Sequence, residues 1–188
     1  MAVNLVKGQK VDLTKGNPGL NKLIVGLGWD TNRFDGSEFD LDAMAFMLDG
    51  SKKAQTNNNF IYFNHKKDDA GAVVLTGDNR TGAGEGDDEQ LIIDLNKVPA
   101  GIESIAVCIN IYEAAKRKQN FGMVDNAYVR VVNEATGEEL SKYDLTEDFS
   151  AETAVMAAEI YRHEGEWKFK AIGEGLATLE KLVEKVGL

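Results

Sequence analysis

The sequence predicts a mainly all-β fold: an antiparallel β-sandwich with a short crossover helix and a C-terminal amphipathic helix. Three observations lead there. About ten short apolar or alternating runs are separated by clusters of Gly, Asn and Asp. No long helical pattern alternates with them, which argues against βαβ units. Leu41–Leu48 is apolar on both faces, as a strand buried between two layers must be.

In chain order, 2–6 and 9–13 flank Lys7-Gly8 in the manner of a hairpin. Residues 22–29 read as a strand, followed by the polar loop 30–39 and the apolar strand 41–48. Further strands are expected at 60–63, 72–75, 90–95, 102–111, 127–133 and 139–144. Two last strands, 155–162 and 167–172, face each other across His163-Glu164-Gly165-Glu166, a hairpin turn. Residues 113–119, short and charged, read as the crossover helix. Leu176, Leu179, Leu182, Val183 and Val186 form an apolar stripe at helical spacing, expected to dock on a sheet edge.

Composition narrows the function classes. The 188 residues suffice for one domain, 1–188, with a sizeable core. Net charge is −10, from 31 acidic and 21 basic residues, so a phosphate backbone is repelled and nucleic acid is a poor partner. Lys116-Arg117-Lys118 is the local exception and reads as a solvated face. A single cysteine, Cys108, rules out an internal disulfide framework and lies in an apolar run, which predicts a buried, inert thiol. The first thirteen residues show neither a signal peptide nor a membrane span, so a reducing cytoplasm fits.

The chemistry concentrates in two acidic segments. The first runs from Asp30 to Asp42. Asp40 and Asp42 are two apart, so in a strand they project from one face, roughly 6 to 7 Å from each other. That face continues as Met44, Phe46 and Leu48, which puts both carboxylates at the mouth of a buried strand. Anions placed there repel and lose hydration unless a cation or raised pKa values compensate. The second segment, from Asp78 to Glu89, carries Asp78, Asn79, Glu85, Asp87, Asp88 and Glu89 among glycines that free the backbone to turn carbonyls inward. This is an all-oxygen donor set of the kind calcium takes. Zinc and copper are disfavoured by the lack of His and Cys. Asp78 and Glu89 fall at positions 1 and 12 of an EF-hand-like window, but Arg80, Gly82 and Ala83 occupy positions 3, 5 and 6, and the flanks read as strands. The site is therefore not an EF-hand. Either segment alone is compatible with a solvated acidic loop.

At these residues the sequence resembles the TerD family of tellurium-resistance and general stress proteins. The resemblance rests on Gly26-Leu27-Gly28-Trp29-Asp30, Phe39-Asp40-Leu41-Asp42-Ala43, Gly77-Asp78-Asn79-Arg80-Thr81-Gly82, Gly84-Glu85-Gly86-Asp87-Asp88-Glu89 and Asn120-Phe121-Gly122. It extends from the first strand pair to about Phe169. It implies a β-sandwich binding two calcium ions in adjacent loops, with Asp30, Asp40, Asp42, Asp78, Asn79, Asp87, Asp88 and Glu89 as ligands or their supports. Glu85 and main-chain carbonyls in the Gly82–Gly86 turn complete the set. It also implies a role in bacterial resistance to tellurite and to chemical or envelope stress, alongside a membrane protein of the TerC type and TerD-like paralogues. Peripheral association with the inner face of the membrane fits that picture.

The main rival reading is a metal-dependent hydrolase using the acidic cluster. A carboxylate pair can supply a general acid and base, but a hydrolytic site also needs a nucleophile or an open metal position. The only histidines, His65 and His163, fall in polar turns, and no Ser-His-Asp arrangement stands out. The expectation is a non-catalytic protein in which calcium organises a surface for a partner. Reduction of tellurite by the chain itself is disfavoured, since one buried thiol offers no dithiol.

Overall fold

The computed structural model describes residues 2–30, 38–77, 86–145 and 149–188. Twelve strands are found among them: β1 Val3–Leu5, β2 Lys10–Asp12, β3 Lys22–Gly28, β4 Leu41–Leu48, β5 Phe60–Ile61, β6 Val73–Thr76, β7 Glu89–Asp94, β8 Ser104–Ile111, β9 Tyr128–Asn133, β10 Glu139–Asp144, β11 Ala154–His163 and β12 Glu166–Leu176. Helix α1, Ala114–Arg117, follows β8, and α2, Leu179–Val186, follows β12. The strands form two six-stranded sheets, ordered β1-β10-β9-β3-β7-β6 and β2-β12-β11-β8-β4-β5.

Period-two alternation builds the core. Leu23, Val25 and Leu27 of β3, Leu91 and Ile93 of β7, and Val129 and Val131 of β9 meet Leu41, Ala43, Ala45 and Met47 of β4 and Ile105, Val107 and Ile109 of β8. The alternate residues of the second sheet form a separate cluster: Met44, Phe46 and Leu48 of β4, Ala106 and Cys108 of β8, and Ala154 and Met156 of β11. Leu182 and Val186 of α2 cover it. Strand β4 is therefore buried along its whole length by a sheet on one side and a helix on the other. Helix α2 is held at both ends. The Thr178 side chain accepts a hydrogen bond from the Lys181 N–H, and Gly187 closes the C-terminus at φ 89°.

Four sequence expectations need correction. Segments 2–6 and 9–13 do not pair as a hairpin: β1 joins β10 in the first sheet and β2 joins β12 in the second. The two runs straddle the sandwich because each is too short to be stable alone and finds a longer strand to bind. The β1–β10 pairing is parallel, so the sandwich is not wholly antiparallel. Helix α2 packs on the face of the second sheet, not its edge, because its stripe finds the Met44–Phe46–Leu48 surface. The crossover helix is a single turn, flanked by Glu113 and Lys118 in the left-handed region at φ 50° and 55°. The hairpin at 163–166 is found as expected, with His163 opposite Glu166 and Glu164 and Gly165 both at positive φ.

Cys108 is fully buried, and burial with the nearby Glu174 charge pushes its thiol well above the usual range. It should resist a thiol reagent such as DTNB in the native state and react completely in denaturant. Rapid native-state labelling would contradict this placement.

Register fixes where the loops go. Leu27 lies opposite Glu89, Gly28 opposite Tyr128, Leu41 opposite Ile111, Tyr128 opposite Asp144, and Ala154 opposite both Asn110 and Leu176. The β3–β4, β6–β7, β8–β9 and β10–β11 connections consequently leave one end of the sandwich. The described ends of the two acidic segments, Asp30 and 38–42 of the first and 86–89 of the second, share that pole.

Candidate metal centre

The end of β3 and the start of β7 are tied by a reciprocal pair of hydrogen bonds. The Trp29 N–H donates to Asp88 Oδ2 at 2.9 Å, and the Asp88 N–H donates to the Leu27 carbonyl at 2.7 Å. Asp30 follows directly; its N–H donates to the Asp125 carbonyl at 3.0 Å, and its Oδ2 accepts from Asn126 Nδ2 at 2.7 Å. Glu89, buried at the first position of β7, spans the sandwich: its Oε2 accepts from the Ala43 N–H of β4 at 2.5 Å. The fold thus brings Asp30 and Asp88 together. Their approach is felt electrostatically, because burial raises the Asp88 pKa and the Asp87 and Asp30 charges raise it further, against the Trp29 N–H.

The remaining predicted residues divide by surroundings. Asp40 precedes β4 and pairs with Arg117 at 3.4 Å. Asp42 is buried on the outward side of β4, in register with Asn110 of β8. Asp87 has both oxygens engaged: Arg130 Nε and Nη2 donate at 2.7 and 3.1 Å, Tyr128 Oη at 3.1 Å and Gln90 Nε2 at 3.0 Å. Its side chain is 1% exposed. Asp78, Asn79 and Glu85 lie outside the described residues.

The Asp87–Arg130 pair explains the Gly-Leu-Gly run of β3. Both glycines lie on the outward face, with Leu27 turned to the core. A Cβ at Gly26 would overlap the Asp87 carboxylate, and one at Gly28 would lie 2.5 Å from the Tyr128 ring. The missing side chains make the slot in which carboxylate, guanidinium and phenol stack on the sheet. The Asp87 hydrogen bond raises the Arg130 pKa, and burial beside Asp87 raises that of Tyr128. Sequence reasoning identified Asp87 but missed Arg130 and Tyr128. The available signal was a strand with Gly at alternate positions, which marks the close approach of another group.

A cavity of about 700 Å³ opens at the same pole, lined by Trp29, Asp30, Asp125, Asn126 and Asp144 among others. Among the described residues the buried indole nitrogen of Trp29 has no hydrogen-bond partner. Among the described residues no three His, Cys, Asp or Glu side chains gather into a complete metal site. The donors that do gather are hard oxygens, which fits calcium or magnesium and not zinc. Cys108 lies under α2, and His163 is at the opposite end of the sandwich. His65 is half-buried rather than solvated, its Nδ1 2.7 Å from the Phe60 carbonyl.

Comparison with known proteins gives a consistent result. The family model of the TerD domain matches residues 1–185. General stress protein 16U of Bacillus subtilis (strain 168) is 58% identical over 176 residues, covering 93% of this chain and 91% of that protein. Tellurium resistance protein TerD of Serratia marcescens is 48% identical over 177 residues, covering 94% and 92%. The crystal structure of a homologue of the telluride resistance protein (TerD) from Streptomyces coelicolor A3(2) superposes with a TM-score of 0.71. It is 24% identical and covers 87% of this chain and 95% of that one, a likeness of fold. No catalytic family is indicated by these matches.

Proposed function

Since the chain belongs to the TerD family of tellurium-resistance and general stress proteins, we propose that its acidic pole binds calcium and that the loaded pole is a non-catalytic surface for a partner. The carrying observation is the half-buried Asp88, held beside Asp87 and Asp30 with its pKa raised by burial and by their charge. Arg130 already neutralises Asp87, which leaves that carboxylate to the fold. A hard cation beside Asp88 and Asp30 relieves the mutual repulsion of the clustered carboxylates without distorting the sandwich. Asp30, Asp40, Asp42 and Asp88 supply carboxylates, with Asp78, Asn79 and Glu85 from the adjoining loop. Calcium supplies charge neutralisation and six to eight oxygen bonds that hold both loops in one arrangement. Two ions fit the number of carboxylates. Asp87 and Glu89 anchor the ends of the loop.

Calcium in this reading is organisational. Loops fixed on a rigid sandwich end present one surface, and a membrane protein of the TerC type or a TerD-like paralogue is the partner it fits. Among the described residues no helix is long and apolar enough to cross a membrane; in this reading the contact with a membrane is peripheral, at its cytoplasmic face. Titration calorimetry tests the core claim. Calcium should give a saturable heat that equimolar magnesium does not reproduce, accompanied by a change in Trp29 fluorescence, and Asp30→Asn with Asp88→Asn should abolish both. No calcium heat in wild type, or an unchanged isotherm in the double variant, would sink it.

A further inference from the structure

A second cavity opens beside the 163–166 turn, at the end of the sandwich away from the acidic pole. Its volume is about 380 Å³, within the usual range for small-molecule pockets. Leu20, Leu95 and Val98 line it from the edge of the core, together with Trp167. It presents one cation and one anion, Arg162 and Glu166. Among the described residues neither makes an ion pair, with the other or with any third group.

Both charges are nevertheless held in place, and by neutral groups. Arg162 is half-buried. Its Nε donates to the Ile102 carbonyl at 3.0 Å, and its Nη2 to the Val98 and Pro99 carbonyls at 2.9 and 3.3 Å. The guanidinium lies 4.6 Å from the centre of the Trp167 ring. Its Nη1 donates to none of the described residues. Glu166, also half-buried, accepts from the Thr14 hydroxyl through Oε2, and the Thr14 oxygen accepts from the Trp167 N–H at 2.9 Å. Its Oε1 has no donor among the described residues.

Carbonyls satisfy N–H groups but leave the charge of a guanidinium uncompensated, and a hydroxyl does the same for a carboxylate. A simple anion would answer Arg162 but is repelled by Glu166, and a simple cation meets the reverse. A molecule that carries both charges on neighbouring atoms answers both. We infer that this cavity binds a free α-amino acid, its carboxylate accepting from Arg162, its ammonium donating to Glu166, and a small aliphatic side chain against Leu95 and Val98. The site is separate from the calcium reading of the pole and does not rest on it.

L-Leucine is the probe, titrated into the full chain by calorimetry and by ¹⁵N–¹H spectra, once in EDTA and once in calcium. Saturable shifts are expected at the Trp167 indole and at Gly165 and Glu166 in both conditions, with the Trp29 indole unmoved. Leucine methyl ester lacks the carboxylate, and 4-methylpentanoate lacks the ammonium. Each should bind about tenfold to a hundredfold more weakly than leucine, as expected for loss of a hydrogen bond between charged groups. Glu166→Gln keeps an acceptor for Thr14 and should weaken leucine by a similar factor. It should bind 4-methylpentanoate no worse than the wild type does, because the repelling charge is gone. Arg162→Met should lose leucine as well. It also strips the Val98, Pro99 and Ile102 carbonyls of their donor, so Glu166→Gln decides the matter if that variant does not fold. The proposal is overturned if leucine gives no saturable shift at Trp167, if both truncated analogues bind as well as leucine, or if Glu166→Gln binds leucine unchanged. Shifts centred on Trp29 and Asp30 overturn it too, since leucine would then occupy the acidic pole. A chain that takes no calcium but binds leucine at Trp167 separates failure of the calcium reading from failure of this one.

Discussion

Arg130→Met is expected to lower stability by about 3–5 kcal/mol, the cost of leaving one partner of a buried ion pair uncompensated. Asp87 is 1% exposed and, among the described residues, keeps Tyr128 and Gln90 as hydrogen-bond donors once the guanidinium is gone. For a chain of this length the melting temperature should fall by about 6–20 °C. Urea unfolding with an unchanged slope is the check. The double variant Asp87→Ala, Arg130→Met should recover much of the loss, because charge, not volume, is the penalty. Gly26→Ala should move the same way, since its methyl group takes the space of the Asp87 carboxylate. A loss under about 1 kcal/mol in the single variant, or no recovery in the double, would show that the pair is not what holds this end of β7.

How much of this was legible depends on the range of each interaction. Alternation within β3, β7 and β9, and the double-sided burial of Leu41–Leu48, are properties of single strands, and the sequence displays them. The 163–166 turn is equally local. The pairing of β1 with β10 and of β2 with β12 joins residues more than a hundred positions apart, and three-residue strands carry too little pattern to choose a partner. The same limit applied at the site. Two acidic segments beside apolar strands could be recognised, and the register then brought them to one pole. The engagement of Asp87 by Arg130 was hidden, because nothing within reach in sequence distinguishes Asp87 from Asp88. In space one lies over Gly26 and Arg130, and the other takes the Trp29 N–H.

Calcium at a hundred times its dissociation constant is expected to stabilise the wild type by about 2.7 kcal/mol by mass action alone. The Asp88→Asn variant should show the opposite balance. Asparagine can still accept the Trp29 N–H, and it removes a charge that burial and the neighbouring Asp87 and Asp30 disfavour. In EDTA the variant should therefore be at least as stable as wild type, while losing most of the calcium-dependent gain. The sign follows from the proton balance. A carboxyl whose folded pKa is raised binds more protons folded than unfolded, so its ionisation costs stability as pH rises from the unfolded value of about 3.9 through the raised one. The metal-free difference between wild type and Asp88→Asn should accordingly vanish at low pH and reach its full size above the raised pKa. Arg130→Met gives the contrasting pattern, a large loss in EDTA and calcium alike. Thermal melts of the three proteins, with and without calcium, separate a carboxylate that serves the ion from one that serves the fold. If Asp88→Asn keeps the whole calcium gain, Asp88 is not a ligand and the cation sits elsewhere; if its metal-free form is far less stable than wild type, Asp88 is structural like Asp87.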